Sequence, residues 1–274
     1  IVREYLNRFK KRFGDNFERY VILQESIGIG YARNLALKIA RGQWIIWVDS
    51  DNILSPNYIE SVIKEIMDLK DDKVAVLYPY RTVPLYHKHS RWGKILVCYG
   101  LTQLMDPQTD TKGSFPYYPM QGAVCRTDVL RLVGGFDPRL IAAEDIDIYA
   151  RIIQSGYKMK SFKATLYTFV KPSLKSWFLQ AMTWEYGKRV VLQKTLLPPS
   201  LRRDLEGIKS KNVFLNALIR YFNTMLLTLI KGIRICGIIG VLLPFIYTYR
   251  RSGFMKGLLI YILESRVAKK QCVV

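Results

Sequence analysis

The sequence is short of acidic residues: 22 Asp and Glu stand against 42 Lys and Arg, so the 274-residue chain carries a formal net charge of +20. Such an imbalance favours polyanionic partners, which include nucleic acid, anionic membrane surfaces and phosphorylated substrates. The basic residues, however, concentrate around apolar segments near the C terminus and form no stripe with interleaved aromatic residues. We therefore expect no nucleic-acid partner.

Cysteine and histidine are also scarce, and their positions exclude a zinc site. The four cysteines are far apart and match no CxxC or Cys/His ligand spacing; they are Cys98, Cys125, Cys236 and Cys272. We expect them to be unpaired thiols of a reducing compartment. The two histidines flank Lys88 in a polar stretch, which is typical of a surface loop.

A signal-peptide pattern is absent from the start of the sequence, and residues 3–13 are instead typical of a basic amphipathic helix. From residue 19 onward, short apolar strands alternate with helical patterns. This alternation predicts an α/β sheet of mostly parallel strands. The predicted strands cover residues 20–23, 43–48, 74–78 and 122–125, and the longer predicted helices cover residues 28–40, 55–69, 91–104, 144–153 and 173–194.

The end of the strand at residues 43–48 carries two carboxylates in the sequence Asp49-Ser50-Asp51. Side chains alternate along a strand, so Asp49 and Asp51 point the same way if the extended geometry persists. Two hard oxygen ligands at the carboxyl edge of a strand suit a divalent cation that also carries phosphate oxygens. The alternative is a solvated turn that continues through Asn52.

A second acidic cluster, Glu144-Asp145-Ile146-Asp147, opens a helix. Acidic residues in a first helical turn complement the helix dipole, so this cluster by itself has an ordinary structural explanation. The helix continues with apolar residues at a spacing that predicts one buried face.

The composition changes after residues 198–199, a Pro-Pro pair. A charged linker at residues 196–212 precedes three apolar runs at residues 213–230, 235–249 and 254–263, and Glu264 is the only acidic residue from 213 to the end. The first two runs are marginal for crossing a bilayer, which takes about 20 residues. A polar stripe of Asn216, Arg220 and Asn223 suits a helix in the membrane interface or in a short hairpin. We predict that residues 213–274 associate with an anionic, cytoplasmic membrane face; a soluble helical subdomain is the alternative.

Five motifs occur in an order that resembles the family 2 glycosyltransferases. They are Gly28 to Asn34 (GIGYARN), Ala40-Arg41-Gly42, Asp49-Ser50-Asp51, Gly134 to Asp137 (GGFD) and Glu144-Asp145. The resemblance covers about residues 19–194. It implies a nucleotide-sugar-binding GT-A domain, with a Rossmann-like mixed sheet, over residues 1–195, followed by the linker and the C-terminal apolar helices.

The resemblance also implies roles for individual residues on the donor side. Asp51, with Asp49 nearby, would hold a divalent cation, Mn²⁺ or Mg²⁺, that neutralises the leaving nucleotide. Arg33 lies on the helix that packs under the donor site in the family. It would take part in donor binding, and an ion pair with Asp49 is a compatible alternative.

On the acceptor side, the resemblance implies that Asp145 is the general base that takes the acceptor proton. Glu144 would share contacts with the acceptor. Gln121 and Gly122 are candidates to line the acceptor pocket, because glycine permits a close approach of the backbone. A single direct displacement with one base inverts the anomeric configuration.

The sequence departs from the family pattern in two places. Processive synthases of the family carry QxxRW, whereas Gln180 to Trp184 (QAMTW) has no arginine, so we expect single-sugar addition. We expect Trp177 and Trp184 to be core residues or membrane-interface anchors. The family also opens on a buried strand that holds the nucleotide base, and we expect that strand to lie before Ile1.

These observations predict a metal-dependent, inverting glycosyltransferase on the cytoplasmic membrane face. Its donor would be a nucleotide sugar and its acceptor a lipid-linked or surface glycan. One alternative is transfer to a polyprenyl phosphate, for which Asp145 is not needed as a base because the acceptor is already an anion. Another is a non-catalytic membrane subunit with a degenerate transferase domain.

Overall fold

The computed structural model describes residues 28–85, 92–102, 119–193 and 213–271. Several features predicted above therefore lie outside the described residues. They are the amphipathic helix at 3–13, the strand at 20–23, the two histidines, the linker at 196–212 and Cys272.

The described chain alternates helices with five strands. In the first half, α1 (Ile29–Ile39), β1 (Trp44–Ile46), β2 (Asn52–Leu54), α2 (Tyr58–Met67), β3 (Val74–Leu85) and α3 (Gly93–Thr102) follow one another. The second half contains β4 (Val124–Arg126), α4 (Thr127–Leu132), α5 (Glu144–Gln154), β5 (Lys158–Phe169), α6 (Leu174–Gln193), α7 (Val213–Cys236) and α8 (Leu243–Gln271). A 3₁₀ segment, Gly237–Leu242, joins the last two helices.

The five strands form one mixed sheet in the order β1-β4-β3-β5-β2. Among the four described strand pairs, only β3 with β5 is parallel, so the prediction of mostly parallel strands is wrong. The pairings do make β1, β3 and β5 run in the same direction, as the alternation with helices indicated. The two reversed strands, β4 and β2, lie beside them.

The reversal of β2 has a simple cause in chain length. Only residues 47–51 separate β1 from β2, and a parallel return needs a crossover of about a dozen residues or more. The chain instead turns at once, and β2 runs antiparallel to β5, with Leu54 opposite Leu166. The Asp49–Asp51 segment therefore forms the bend that follows the carboxyl end of β1. It connects β1 to β2, and these strands stand at opposite ends of the strand order.

Helices cover both faces of the sheet and bury two apolar clusters. On one face, α1, α4 and α5 pack through residues such as Leu37, Leu130 and Tyr149. On the other face, α2 packs Tyr58 and Val62 against β3, β4 and β5. Since neighbouring strand residues point to opposite faces, β4 contributes Cys125 to the first cluster and Val124 to the second.

The C-terminal helices pack on α6 and α3 and not on the sheet. Glycines set the distance between α8 and α6: a Cβ atom on Gly257 would lie 2.2 Å from the Met182 carbonyl oxygen, and one on Gly253 would lie 2.8 Å from the Phe178 carbonyl oxygen. In the part of the chain that the structure describes, no helix combines the length and the apolarity needed to cross a membrane.

Cys98 in the middle of α3 and Cys236 at the end of α7 form a disulfide bond, with their Cα atoms 6.2 Å apart. The expectation of unpaired thiols is therefore wrong for this pair. The two cysteines are separated by 138 residues in sequence, so only the packing of α3 against α7 brings them together. Cys125 is an unpaired, buried cysteine.

Candidate functional site

A cavity of about 660 Å³ lies at the sheet edge where β1 and β5 end. Residues from α1, the bend after β1, the start of α5, the end of β5, α6 and α8 line it. Six of the seven site residues predicted from sequence are among the lining residues: Arg33, Asp49, Asp51, Gln121, Glu144 and Asp145. Residues that are far apart in sequence therefore meet around one space.

The bend at Asp49 and Asp51 is both a turn and part of this cavity. The Asn52 amide donates to the Asp49 carbonyl oxygen at 3.0 Å, which closes the turn, so the extended geometry does not persist through Asp51. The Asn52 side-chain amide donates to Asp51 Oδ1 at 3.2 Å and to Thr168 Oγ1 at 3.1 Å, which fastens the turn to the end of β5. Both aspartate side chains keep about 29% of their surface exposed, and both line the cavity.

Arg33 is the centre of a buried charged group beneath the cavity. One guanidinium nitrogen donates to Glu144 Oε1 at 2.5 Å, and another lies 3.4 Å from Asp49 Oδ1. The Arg33 side chain is only 7% exposed, and the rings of Trp47 and Phe136 lie 5.9 and 5.5 Å from its Cζ atom. A buried charge needs partners of this kind, so Arg33 ties the acidic bend to the start of α5.

The GIGYARN and GGFD segments are in direct contact. The Asn34 side chain donates to the Phe136 carbonyl oxygen at 2.7 Å and accepts from the Phe136 amide at 2.8 Å. Gly135 has a φ of +69°, and a Cβ atom there would lie 2.6 Å from Asn34 Oδ1. Close contact between the two segments therefore requires glycine at this position, and it orients the helix that carries Arg33.

Glu144 and Asp145 of the second acidic cluster both line the cavity, and Glu144 is also bound by Arg33. The residue before them, Ala143, adopts a left-handed φ of 63°, which is uncommon for a residue other than glycine, at the N-terminal cap of α5. Burial, together with the charge of Glu144, raises the pKa of Asp145 to about 7. A carboxyl group with this pKa can exchange a proton with substrate near neutral pH.

Gln121 and Gly122 occupy different positions. Gln121 lines the cavity, whereas Gly122 is buried and is not among the lining residues. Gly122 has a φ of +73°; its amide donates to the Trp47 carbonyl oxygen at 2.7 Å, and its own carbonyl oxygen accepts from the Tyr58 hydroxyl. Its position supports the backbone beside Gln121.

The wall opposite the acidic residues comes from α6 and α8. Trp177, Gln180 and Trp184 of α6 line the cavity together with Arg250 of α8. The Arg250 Cζ atom lies 4.3 Å from the centre of the Trp177 ring and 5.3 Å from that of Trp184. The arginine that the local sequence before Trp184 lacks is thus replaced, in space, by one that lies 66 positions further along the chain.

Sequence reasoning missed Arg250 and also Lys171. Lys171 follows β5, and its Nζ atom lies 3.5 Å from Asp51 Oδ2 at the cavity. The strand was not predicted, although Phe162, Ala164 and Leu166 alternate with exposed or half-buried residues along it. That alternation was the available signal for β5 and hence for Lys171. No sequence signal pointed to Arg250.

The carboxylate ligands at this site fit a divalent cation that takes only part of its coordination from protein. Among the described residues, no group of three or more His, Cys, Asp or Glu side chains could enclose a metal ion. Asp49 and Asp51 nevertheless expose carboxylate oxygens to the same cavity. Magnesium-type sites commonly use one or two carboxylates and complete the shell with water and substrate phosphates, and these two residues suit that arrangement.

Comparison with known proteins shows which proteins this chain resembles. Residues 1–130 match the sequence profile described as "Glycosyl transferase family 2". The chain is also 26% identical over 137 residues to the pre-mycofactocin glycosyltransferase of Mycobacterium tuberculosis. That alignment covers 49% of this chain and 28% of the relative's length.

A solved structure shares the fold. The mannosyltransferase PcManGT of Pyrobaculum calidifontis, solved in complex with GDP-Man and Mn²⁺, superposes with a TM-score of 0.60 at 14% sequence identity. The match covers 96% of this chain and 74% of that one. The likeness confirms the predicted mixed α/β architecture of the GT-A type.

Proposed function

We propose that the chain, whose residues 1–130 match the profile of glycosyl transferase family 2, transfers a sugar from a nucleotide diphosphate sugar to an acceptor, with inversion at the anomeric carbon. The observation that carries the proposal is the convergence of Asp49, Asp51 and Asp145 on one cavity of about 660 Å³. Two of these carboxylates suit the donor's cation, and the third suits proton transfer.

The donor diphosphate would lie beside the bend after β1. A divalent cation held by Asp51 and Asp49 would neutralise the charge that develops on the leaving nucleotide. Arg33 positions Asp49 through their contact at 3.4 Å, and Lys171 adds a positive charge on the other side of Asp51. The structural relative's complex with GDP-Man and Mn²⁺ supports a donor of this class.

Asp145 would act on the acceptor. As the acceptor hydroxyl oxygen forms its bond to the anomeric carbon, the bond from that carbon to the diphosphate oxygen breaks, and its electron pair leaves with the nucleotide. The hydroxyl proton passes to the Asp145 carboxylate, whose raised pKa makes it a competent acceptor of that proton. Glu144 is held by Arg33, so it contributes charge and position near the acceptor.

The C-terminal helices supply the proposed attachment to a membrane. Large apolar side chains stay exposed there, led by Ile238 at 87% and Phe245 at 72%. Exposed basic residues lie on the same helices: Lys231, Arg234, Arg251 and Lys256. An apolar surface with basic neighbours suits a helix pair lying on an anionic leaflet, and a cytoplasmic face would supply both the lipid charge and the nucleotide sugar. The acceptor would then be a lipid-linked or surface glycan.

A polyprenyl phosphate is the second candidate acceptor, because Arg250 places a guanidinium group in the wall of the same cavity. A phosphate oxygen is already an anion and attacks the anomeric carbon without losing a proton. Asp145 would then not be required as a base, and a variant of that residue separates the two candidates.

The donor site is tested by thermal unfolding of the protein with UDP- and GDP-sugars in the presence and absence of Mn²⁺ or Mg²⁺. We expect a metal-dependent rise in melting temperature that is lost in Asp51→Ala. Asp68→Ala is the matched control, because Asp68 is an exposed aspartate at the end of α2, remote from the cavity, and this variant should retain the full shift. A wild-type protein that shows no metal-dependent shift with either donor class contradicts the proposal.

A further inference from the structure

A second cavity of about 390 Å³ adjoins the catalytic one. The two share three lining residues, Val170, Trp177 and Arg250, so these side chains form the boundary between them. The remaining walls of the second cavity come from α3 and α8. Anything bound in it lies within one side chain of the catalytic space.

Arg250 is held rigidly at this boundary. Its guanidinium group stacks over Trp177 and Trp184, and it also lies 5.7 Å from the centre of the Phe254 ring. The contacts of Gly253 and Gly257 with α6 bring the backbone of α8 close enough for this stacking. The N–H donors of a guanidinium group lie in its plane, in the fork geometry that matches phosphate oxygens.

The rest of the second cavity combines one more positive charge with apolar and aromatic surface. Arg251 supplies the charge, and Leu96, Tyr99, Tyr247 and Phe254 supply the surface. None of the described residues that line this cavity is acidic. The lining therefore suits a molecule with an anionic head and an apolar chain, and it disfavours a cation or a neutral sugar.

We propose that the second cavity holds the phosphate and the first carbons of a lipid-linked acceptor, with Arg250 as the phosphate-binding residue and Arg251 as its support. This inference rests on the proposed function, since it names the acceptor class of the same transferase. The group to be glycosylated would pass Trp177 into the catalytic cavity. The exposed apolar surface of the same helices keeps the far end of the lipid chain in the membrane.

The test measures the binding of farnesyl phosphate to the full chain by isothermal titration calorimetry. The binding of farnesol and of inorganic phosphate is measured separately for comparison. We expect farnesyl phosphate to bind more tightly than either, because neither one provides both the charge and the apolar chain. Arg250→Gln should weaken binding about 10- to 100-fold, the range expected for loss of a charge-assisted contact. Lys64→Gln removes the same charge from an exposed position of α2 that lines neither cavity, and it should bind as the wild type does.

Arg251→Gln provides a second test in case the Arg250 variant does not fold. Arg251 is exposed and lines only the second cavity, so its substitution should leave the fold intact. We expect it to weaken farnesyl phosphate binding by a smaller factor while leaving the melting temperature unchanged. Dioleoyl phosphatidic acid micelles that compete equally well would support a site for lipid phosphates in which the chain type is not recognised.

Three results overturn the inference: farnesol or inorganic phosphate binds as tightly as farnesyl phosphate, neither arginine variant weakens binding, or Arg250→Gln abolishes metal-dependent nucleotide-sugar binding instead. The last result would assign Arg250 to the donor. Because donor binding is measured separately, a protein that binds nucleotide sugar but not farnesyl phosphate refutes this inference and leaves the proposed function standing. A protein that binds neither refutes both.

Discussion

The two walls of the catalytic cavity each contain an arginine, but the two arginines are held in different ways. Arg33 is buried among carboxylates and pairs with Glu144 at 2.5 Å, whereas Arg250 is stacked on the indoles of Trp177 and Trp184. The first wall belongs to the sheet domain and contains residues from three of the five motifs: the GIGYARN segment, Asp49-Ser50-Asp51 and Glu144-Asp145. The second wall belongs to α6 and α8, and its arginine lies in no motif.

This difference indicates that the two arginines have different roles. A buried ion pair fixes its members strongly, since removal of one member leaves an uncompensated charge in the interior. A stacked arginine keeps its N–H groups directed to the side and so suits contact with a ligand. We therefore expect substitutions in the first wall to affect catalysis and folding, and substitutions among the C-terminal helices to affect the binding of lipid.

The largest effect is expected for Asp145→Asn. Loss of a general base slows a reaction by about 10² to 10⁴-fold, so kcat measured with a hydroxyl acceptor should fall by that factor while donor binding persists. Asp68→Asn, on the exposed end of α2, should leave kcat unchanged. Retained activity in Asp145→Asn would show that the acceptor attacks as an anion, in agreement with a phosphate acceptor.

Arg33→Met should destabilise the fold by about 3–5 kcal/mol, because it leaves Glu144 buried without its partner. The free energy of unfolding from urea titration measures this loss. The double variant Arg33→Met/Glu144→Gln removes both charges and should recover much of the stability. Equal stability of the single and double variants would show that the two residues are not coupled in solution.

The pH dependence of kcat/KM should reveal the raised pKa of Asp145, which is about 7. The base must be deprotonated, so the rate should fall about tenfold for each pH unit below 7 and level off above it. Glu144, Arg33 and Lys188 are the charged groups that act on Asp145, and only Glu144 raises its pKa. A rate that stays constant down to pH 5 would mean that the carboxyl group keeps an ordinary pKa.

The smallest effect on stability is expected on the exposed apolar surface of the C-terminal helices. Ile238→Ser and Phe245→Ser together should change the free energy of unfolding by no more than about 0.5 kcal/mol each, since both side chains face solvent. Co-sedimentation with phosphatidylglycerol vesicles should nevertheless decrease markedly. Exposed Met67→Ser on α2 is the control, and it should leave vesicle binding unchanged. Unaltered vesicle binding by the double variant would contradict the proposed membrane attachment.

The sequence predicted the elements of the first wall well, because each of them carries a local signal. The helix at Ile29–Ile39, the bend at Asp49 and Asp51, and the acidic start of α5 all appear where the patterns indicated. The antiparallel strands were harder to predict. The reversal at β2 depends on the length of a turn, and the position of β4 between β1 and β3 depends on pairings that no local pattern records.

Local sequence patterns also did not predict that a charged residue, Arg33, is buried. Arg33 lies on the buried face of α1, where periodicity alone leads one to expect an apolar residue. Its place there depends on Glu144, which is 111 positions away, and on two aromatic rings from other segments. The pairing of Cys98 with Cys236 is hidden for the same reason, since the helices that carry them are adjacent only in the folded chain.

By itself, then, the sequence indicated the resemblance to family 2 glycosyltransferases, the two acidic clusters and the apolar character of the C-terminal region, because each depends on residues close together in the chain. The tertiary structure decided that Arg33 binds Glu144 and that both acidic clusters line one cavity. It also decided that α8, held against α6 by Gly253 and Gly257, supplies Arg250 to the site. Such contacts depend on the packing distance between helices. Residues that are far apart in the sequence determine that distance together.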